Sequence, residues 1–482
     1  MGVEKLIGRT EEIKRLDRCM SEEQAQLIIV YGRWRVGKTY LISQYFNGAF
    51  SFSFTGSYKE SRKKQLDNFA KELSVKQGKN IEAPKDWTDA FFLLRGYLSS
   101  LKEGKKIVFF DEMPWMDTQR SGFLGAFEYF WNHWGSKQDN LVFIACGSAT
   151  SWMIRNIDEN KGGLFNRQTC KLFLKHFNLA MTEKMLLSKG IQWERYDIAL
   201  CYMIMGGYPY YLNLLSPELT LSENIDYLFF RERGELWDEF DHLYNTLFSN
   251  SEKYVKVITA LSRKAGGMTR SELVETTKLP DGGGLTKVLK NLIDSGFVRL
   301  SSFYNQKSKD SIYQLCDYYT MFYFKFIRDQ NGQDENYWKN TTDLPARRVW
   351  AGLTFEMLCK DHISQIKKKL SIGGVYSKTY SWFHYPSKDD DEEDDEGAQI
   401  DMLIDRRDNT INVCEAKFSH DKYVIDKEYS RNLRKKIEVF RRVTKSNKTL
   451  ILTMITGSGV KKNMYSGIVS SQVTLDDLFE DV

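Results

Sequence analysis

Gly32-Arg33-Trp34-Arg35-Val36-Gly37-Lys38-Thr39 fits GxxxxGK[ST] at every fixed position. The apolar run Gln26–Tyr31 leads into it, and a helix-forming stretch, 40–46, leads out. Two glycines allow the backbone to curl until successive N–H groups point at one centre, and the following helix N-terminus adds partial positive charge. Lys38 is then placed for β- and γ-phosphates and the Thr39 hydroxyl for Mg²⁺. The motif predicts that residues 32–39 bind ATP on a parallel α/β sheet.

Working outward, 106–110 is a second apolar run that ends in Asp111-Glu112. Asp111 is expected in the Mg²⁺ shell, and Glu112 is expected to orient and polarise the attacking water. A third apolar run, 141–146, ends in Gly147-Ser148, which puts a small hydroxyl where the γ-phosphate can be sensed. Arg167 is a candidate arginine finger, set against the plainer reading of a surface arginine. Gly206-Gly207-Tyr208-Pro209 breaks a helical stretch; Tyr208 and Pro209 are expected against the adenine, the alternative being an ordinary interhelical turn.

Together with Ile7-Gly8-Arg9-Thr10-Glu11-Glu12, these segments resemble the AAA+ (STAND-like) ATPases of archaea and some bacteria. The resemblance implies that Gly8 and Arg9 pack near the nucleotide and that the GGYP segment belongs to a helical lid. It further implies a winged helix and a restriction-endonuclease-like C-terminal domain.

Residues 254–261 carry Val257, Ile258 and Leu261 on one helical face, and Thr269-Arg270-Ser271-Glu272 reads as a capping box. After Asp281-Gly282-Gly283-Gly284, a third helix buries Leu285, Val288, Leu289 and Leu292. Its other face offers Thr286, Lys287, Lys290 and Asn291, types that contact phosphates and base edges. A hairpin with Lys307 and Lys309 at its tip completes a winged helix-turn-helix, with Lys287 and Lys290 as DNA contacts; the competing reading is a rigid packing module.

Near the C-terminus, 399–404 and 411–417 read as a strand pair. Asp401 with Glu415-Ala416-Lys417 matches the D…ExK signature of PD-(D/E)xK nucleases, without the usual proline before the aspartate. Strand alternation puts Glu415 and Lys417 on one side of the sheet. Asp401 and Glu415 are expected to share Mg²⁺ with a scissile phosphate, with Lys417 beside the attacking water. Glu356, on an upstream helix, is a further candidate acid, and the basic helix 427–442 suits a phosphate backbone. The eight acids 389–396 read as a solvated loop, or as a phosphate mimic over the basic groove.

The 482 residues are 42% hydrophobic and 28% charged, which excludes a disordered, collagen-like or coiled-coil chain. The apolar runs are too short to cross a bilayer, and the first residues contain no signal h-region. Seven scattered cysteines form no CxxC pair, so a reducing, cytoplasmic setting without membrane attachment is expected. A net charge of +5 neither requires nor excludes nucleic acid.

The expected architecture is α/β multidomain: a P-loop core over 1–188, a helical lid over 189–248, a winged helix over 249–330 and a nuclease-like domain over 340–482. The expected function is ATP binding and hydrolysis coupled to Mg²⁺-dependent DNA cleavage, in a homo-oligomer or with a further protein partner. The competing reading is a regulatory ATPase whose C-terminal domain only binds DNA or a partner. Cleavage could serve defence or mobile-element maintenance.

Overall fold

A computed structural model describes residues 6–481 apart from 103, 160, 161, 165, 249, 302, 305–310, 331–333 and 385–396. Lys307, Lys309 and the acidic run 389–396 lie outside the described residues.

The N-terminal sheet contains β1 (Gln26–Tyr31), β2 (Phe52–Thr55), β3 (Lys106–Asp111), β4 (Leu141–Gly147) and β5 (Cys170–Phe173), all parallel in the order β2-β3-β4-β1-β5. Both faces are covered, which explains why β1 and β4 read as unbroken apolar runs and are buried throughout. Leu27 and Ile29 pack with Phe69, Phe91 and Phe127 on one side, whereas Ile28 and Val30 pack with Leu41 and Ile42 on the other. Because all five strands run one way, the segments after β1, β3 and β4 meet along one edge. β4 lies between β1 and β3, with Tyr31 opposite Gly147.

Helices Leu179–Ser188, Arg195–Met205 and Pro209–Leu214 extend the Ile28/Val30 side into a helical layer. Next come Ser251–Ser262, Arg270–Thr277 and Gly283–Asp294. Thr269 and Glu272 form the capping box at the second of these. β6 (Val298–Ser301) and β7 (Ile312–Leu315) pair antiparallel after them.

The C-terminal unit is a second five-stranded sheet: β8 (Ser377–His384), β9 (Ala398–Arg406), β10 (Thr410–Lys417), β11 (Thr449–Thr456) and β12 (Ser471–Thr474). Its order is β12-β11-β10-β9-β8, antiparallel from β8 to β10 and parallel from β10 to β12. Alternation divides its faces. Leu403, Ile411 and Val413 pack on Leu433 and Phe440 of helix Lys427–Thr444, and Met402, Cys414 and Ala416 join Phe355 and Cys359 of helix Pro345–Asp361. All seven cysteines are free thiols. Among the described residues, no helix is long and apolar enough to cross a membrane.

Candidate nucleotide site and C-terminal acidic site

The loop after β1 curls as its glycines require. A Cβ on Gly32 would lie 2.3 Å from the Leu174 carbonyl oxygen, and Gly37, at φ 85°, is left-handed just before helix Lys38–Tyr45. Lys38 is buried. Its Nζ donates to the Gly32 and Arg33 carbonyls, each at 3.1 Å, and to Ser148 Oγ at 2.7 Å. Thr39 Oγ1 donates to Asp111 Oδ2 at 2.7 Å, which joins the loop after β1 to the end of β3. Two hard oxygens in contact are the donor type that Mg²⁺ takes, so Thr39 and Asp111 fit such an ion.

Glu112 is buried and accepts both the backbone N–H and the hydroxyl of Ser148. Burial pushes its carboxyl above the ordinary value, while Lys38 and the Ser148 bonds oppose the rise. A cavity of about 800 Å³ opens over these groups; Arg9, Trp34, Tyr40, Phe177, Pro209 and Tyr210 form much of its wall. Its volume suits a nucleotide-sized ligand. Arg9 is held in that wall by hydrogen bonds to the carbonyls of Val36 (2.8 Å) and Lys175 (3.0 Å), and Gly8 packs behind it on Met181.

The two arginines of the loop are both held by protein partners, Arg33 away from the cavity and Arg35 in its wall. Arg33 contributes its carbonyl to Lys38, but its guanidinium turns away from the cavity. It pairs with buried Asp317, donates to the Tyr208 hydroxyl, and stacks on Phe297 at 4.2 Å. Desolvated, with both terminal nitrogens paired and Nε left without a partner, it is a tether between segments rather than a phosphate ligand. Tyr208 is consequently fastened to Arg33 and not laid along the cavity, where Pro209 alone of that pair appears. Arg35 forks onto Glu239 at 2.9 and 3.2 Å and stacks on Tyr210 at 3.6 Å. Asp317 and Glu239 carry no local motif, and sequence reasoning missed both.

Arg167 is exposed and precedes Thr169, whose N–H bonds to Leu27 at the start of β1. The phosphate loop follows the other end of that strand, on the order of 15–20 Å away at ~3.3 Å per residue. Arg167 therefore does not reach its own chain's nucleotide cavity. On helix Gly283–Asp294, Thr286, Lys287 and Lys290 are exposed, but Asn291 is buried and donates to the Tyr254 hydroxyl at 2.7 Å. Asn291 thus belongs to the packing face and not to the exposed one.

In the C-terminal unit, Asp401 and Lys417 both act electrostatically on Glu356 and on Glu415. Burial first, then the neighbouring Asp401, pushes Glu356 up to about 8 and Glu415 to about 7. Asp401 Oδ2 accepts the Ala416 N–H at 3.0 Å, which locks β9 against β10 beside Glu415. Glu415 is fully buried and holds Lys436 Nζ at 2.7 and 2.8 Å. Lys417 Nζ lies 5.3 Å from the Tyr429 ring centre. The carboxylates are hard donors of the kind a divalent cation takes, but a cation would have to displace Lys436. Among the described residues, no three His, Cys, Asp or Glu side chains are gathered to hold a metal ion. Arg431, Arg434, Arg441 and Arg442 of the following helix are exposed.

Residues 6–215 match the family model of an ATPase domain predominantly from Archaea. That match, with the parallel sheet and the loop geometry, makes the N-terminal part of the chain an ATPase domain of archaeal type with a P-loop NTPase fold. Across most of its length the chain is similar to the uncharacterized protein MJECL04 of Methanocaldococcus jannaschii, 24% identical over 82% of this chain and 83% of that one. A 44-residue stretch is 48% identical to the uncharacterized ATP-binding protein MJ0423 of the same organism, covering 9% of this chain and 75% of that one. Among solved structures, the Walker-type ATPase PABY2304 of Pyrococcus abyssi is 18% identical at a TM-score of 0.48, over 66% of this chain and 95% of that one.

Proposed function

We propose that this protein couples ATP hydrolysis to Mg²⁺-dependent cleavage of DNA. On the nucleotide side, Lys38 and the loop N–H groups would bind the phosphates, Thr39 and Asp111 would hold Mg²⁺, and Glu112 would orient the attacking water. Ser148 would hold Lys38 and Glu112 in register. Assembly into a homo-oligomer would carry Arg167 to a neighbouring subunit's nucleotide.

The observation that supports a nuclease is that Asp401 raises, and Lys417 opposes the rise of, two buried acids, Glu356 and Glu415, the four groups coming from one helix and two strands. Acids raised by burial and by one another cluster where chemistry is done. Asp401 and Glu415 would hold Mg²⁺, which when bound supplies charge neutralisation at the scissile phosphate. Glu356 would orient that pair, and Lys417 would stabilise the water as it attacks phosphorus and the leaving oxygen departs. Three helices followed by a β-hairpin support a winged helix-turn-helix, with Lys287 and Lys290 towards the phosphate backbone. The second β-sheet, between helices Pro345–Asp361 and Lys427–Thr444, supports a restriction-endonuclease-like domain.

A second reading is favoured by one observation, the Lys436 amine on both oxygens of Glu415. In that reading the C-terminal unit binds DNA or a partner without cutting, and the ATPase is regulatory. Supercoiled plasmid incubated with protein, with Mg²⁺ or EDTA and with or without ATP, separates the two. Metal-dependent nicking that Lys417→Ala abolishes, with ATP turnover retained, supports the nuclease. Intact ATP hydrolysis with no nicking under any condition supports the regulator.

A further inference from the structure

A cavity of about 170 Å³ lies where the β6–β7 hairpin meets the C-terminal unit. Glu356, Lys360 and Asp401 line one side, and Gly267, Phe303 and Ile312 close the other. The void is well below the ~300–1,000 Å³ of a small-molecule site, so no DNA strand enters it. The face of the acidic site that includes Glu356 and Asp401 is roofed by the hairpin module.

The roof is fastened at several points. Phe303 forms a β-bridge with Ser381, and its ring meets that of Phe383 edge-on at 4.7 Å. Arg299 of β6 pairs with Asp361 at 2.5 Å, and the Tyr318 hydroxyl donates to the same carboxylate at 2.7 Å. Asp361 ends the helix that carries Glu356. Tyr318 directly follows Asp317, the partner of Arg33 in the phosphate loop. Two consecutive residues thus grip the phosphate loop with one side chain and the Glu356 helix with the next.

Lys38 links this junction to nucleotide. Its Nζ donates to the carbonyl of Arg33 itself and to that of Gly32. An ammonium has three donors, and a bound triphosphate draws to its own oxygens the two that the loop carbonyls hold, leaving the one on Ser148. One carbonyl that then loses its partner belongs to Arg33, the residue whose guanidinium pairs with Asp317.

We infer that the hairpin module is an autoinhibitory roof over the C-terminal acidic site, and that nucleotide binding lifts it through Arg33 and Asp317. The inference rests on the nuclease reading only for what the opened site then does. It makes the docked arrangement the closed state of a two-state element, biased by whichever ligand binds the states unequally.

Hydrogen–deuterium exchange of the full-length protein tests this without relying on cleavage. The peptides to follow cover 298–304 and 377–384, with and without a non-hydrolysable ATP analogue and Mg²⁺. The analogue is expected to speed exchange of both peptides about tenfold in the wild type. Phe303→Ala should give the fast exchange without nucleotide, and Asp317→Asn should bind the analogue yet show no change in exchange. Unchanged exchange in the wild type once analogue binding is saturated overturns the inference, as does a full response in Asp317→Asn. Nicking by the wild type without nucleotide, at the rate of Phe303→Ala, also overturns it. Opening of the roof with no nicking by any variant upholds the roof and overturns the nuclease reading instead.

Discussion

Lys38 Nζ lies 2.7 Å from Ser148 Oγ, and that hydroxyl in turn donates to Glu112. One serine joins the amine that would grip the phosphates to the carboxylate that would orient water. The strand order explains why it falls to residue 148. β4 runs between β1 and β3, so the residue just past its end is flanked by the loop after β1 and the turn after β3.

Ser148→Ala should therefore slow ATP hydrolysis more than it weakens ATP binding. Hydrogen bonds to charged groups contribute ~1.5–3 kcal/mol, or about ten- to a hundredfold. The expected result is that loss in kcat with KM within about twofold, and recovery in Ser148→Thr. Steady-state kinetics check it, and an unchanged kcat would show that the hydroxyl only fills space.

The nucleotide site was legible in the sequence to the extent that its contacts are local or follow from strand ends. Gly32, Gly37, Lys38 and Thr39 lie within eight residues, and a parallel sheet brings Asp111, Glu112 and Ser148 to the same edge. The side chain of Arg33 was misread and the partner of Arg35 was missed because a phosphate-loop motif fixes the backbone and leaves those positions free. Their partners Asp317 and Glu239 lie 284 and 204 positions away, a distance no periodicity spans. Asn291 was misread because a short helix presents its flank to Tyr254, a neighbour that the pattern of one helix does not reveal. The roof over Glu356 depends on docking between two units, each of which reads alone as an ordinary fold.

Glu415 and Lys436 give a stability prediction. Glu415 has no exposure, and the lysine side chain retains 19%. Removing one partner of a buried pair costs ~3–5 kcal/mol because it strands a charge, and the partial exposure of Lys436 sets the low end. Lys436→Met should lower the thermal midpoint of the C-terminal unit by several degrees, and adding Glu415→Gln should restore much of the loss. The double-mutant cycle would refute the pairing if the two effects simply added.

His176 makes the junction acid-sensitive. Its ring lies 5.3 Å from that of Tyr208 and senses Asp361, Arg33, Asp317 and His362. Burial is the largest influence and pushes it down to about 4. The unfolded chain takes up the proton near pH 6.5, but the folded protein stays neutral until about 4. Stability is therefore lost as pH falls between those values, by up to about 2 kcal/mol at pH 5. Thermal melts at pH 7 and pH 5 should converge for His176→Gln relative to wild type; an unaltered gap would assign the acid sensitivity to other groups.

Arg35 combines a strained backbone with a valuable side chain. Its φ is 74°, a region that costs a residue with a Cβ about 1 kcal/mol or more, and its guanidinium holds buried Glu239 together with the Tyr211 hydroxyl. Arg35→Ala keeps the strain and strands the carboxylate; Arg35→Gly strands the carboxylate but relieves the strain. Both variants should be less stable than wild type, with glycine ahead of alanine by roughly 1 kcal/mol. Arg35→Gly with Glu239→Gln should recover most of the remainder, because no buried charge is then left unpaired. Equal stability of the alanine and glycine variants would mean that the loop relaxes out of the left-handed conformation once the ion pair is gone, and that Glu239 is what holds it there.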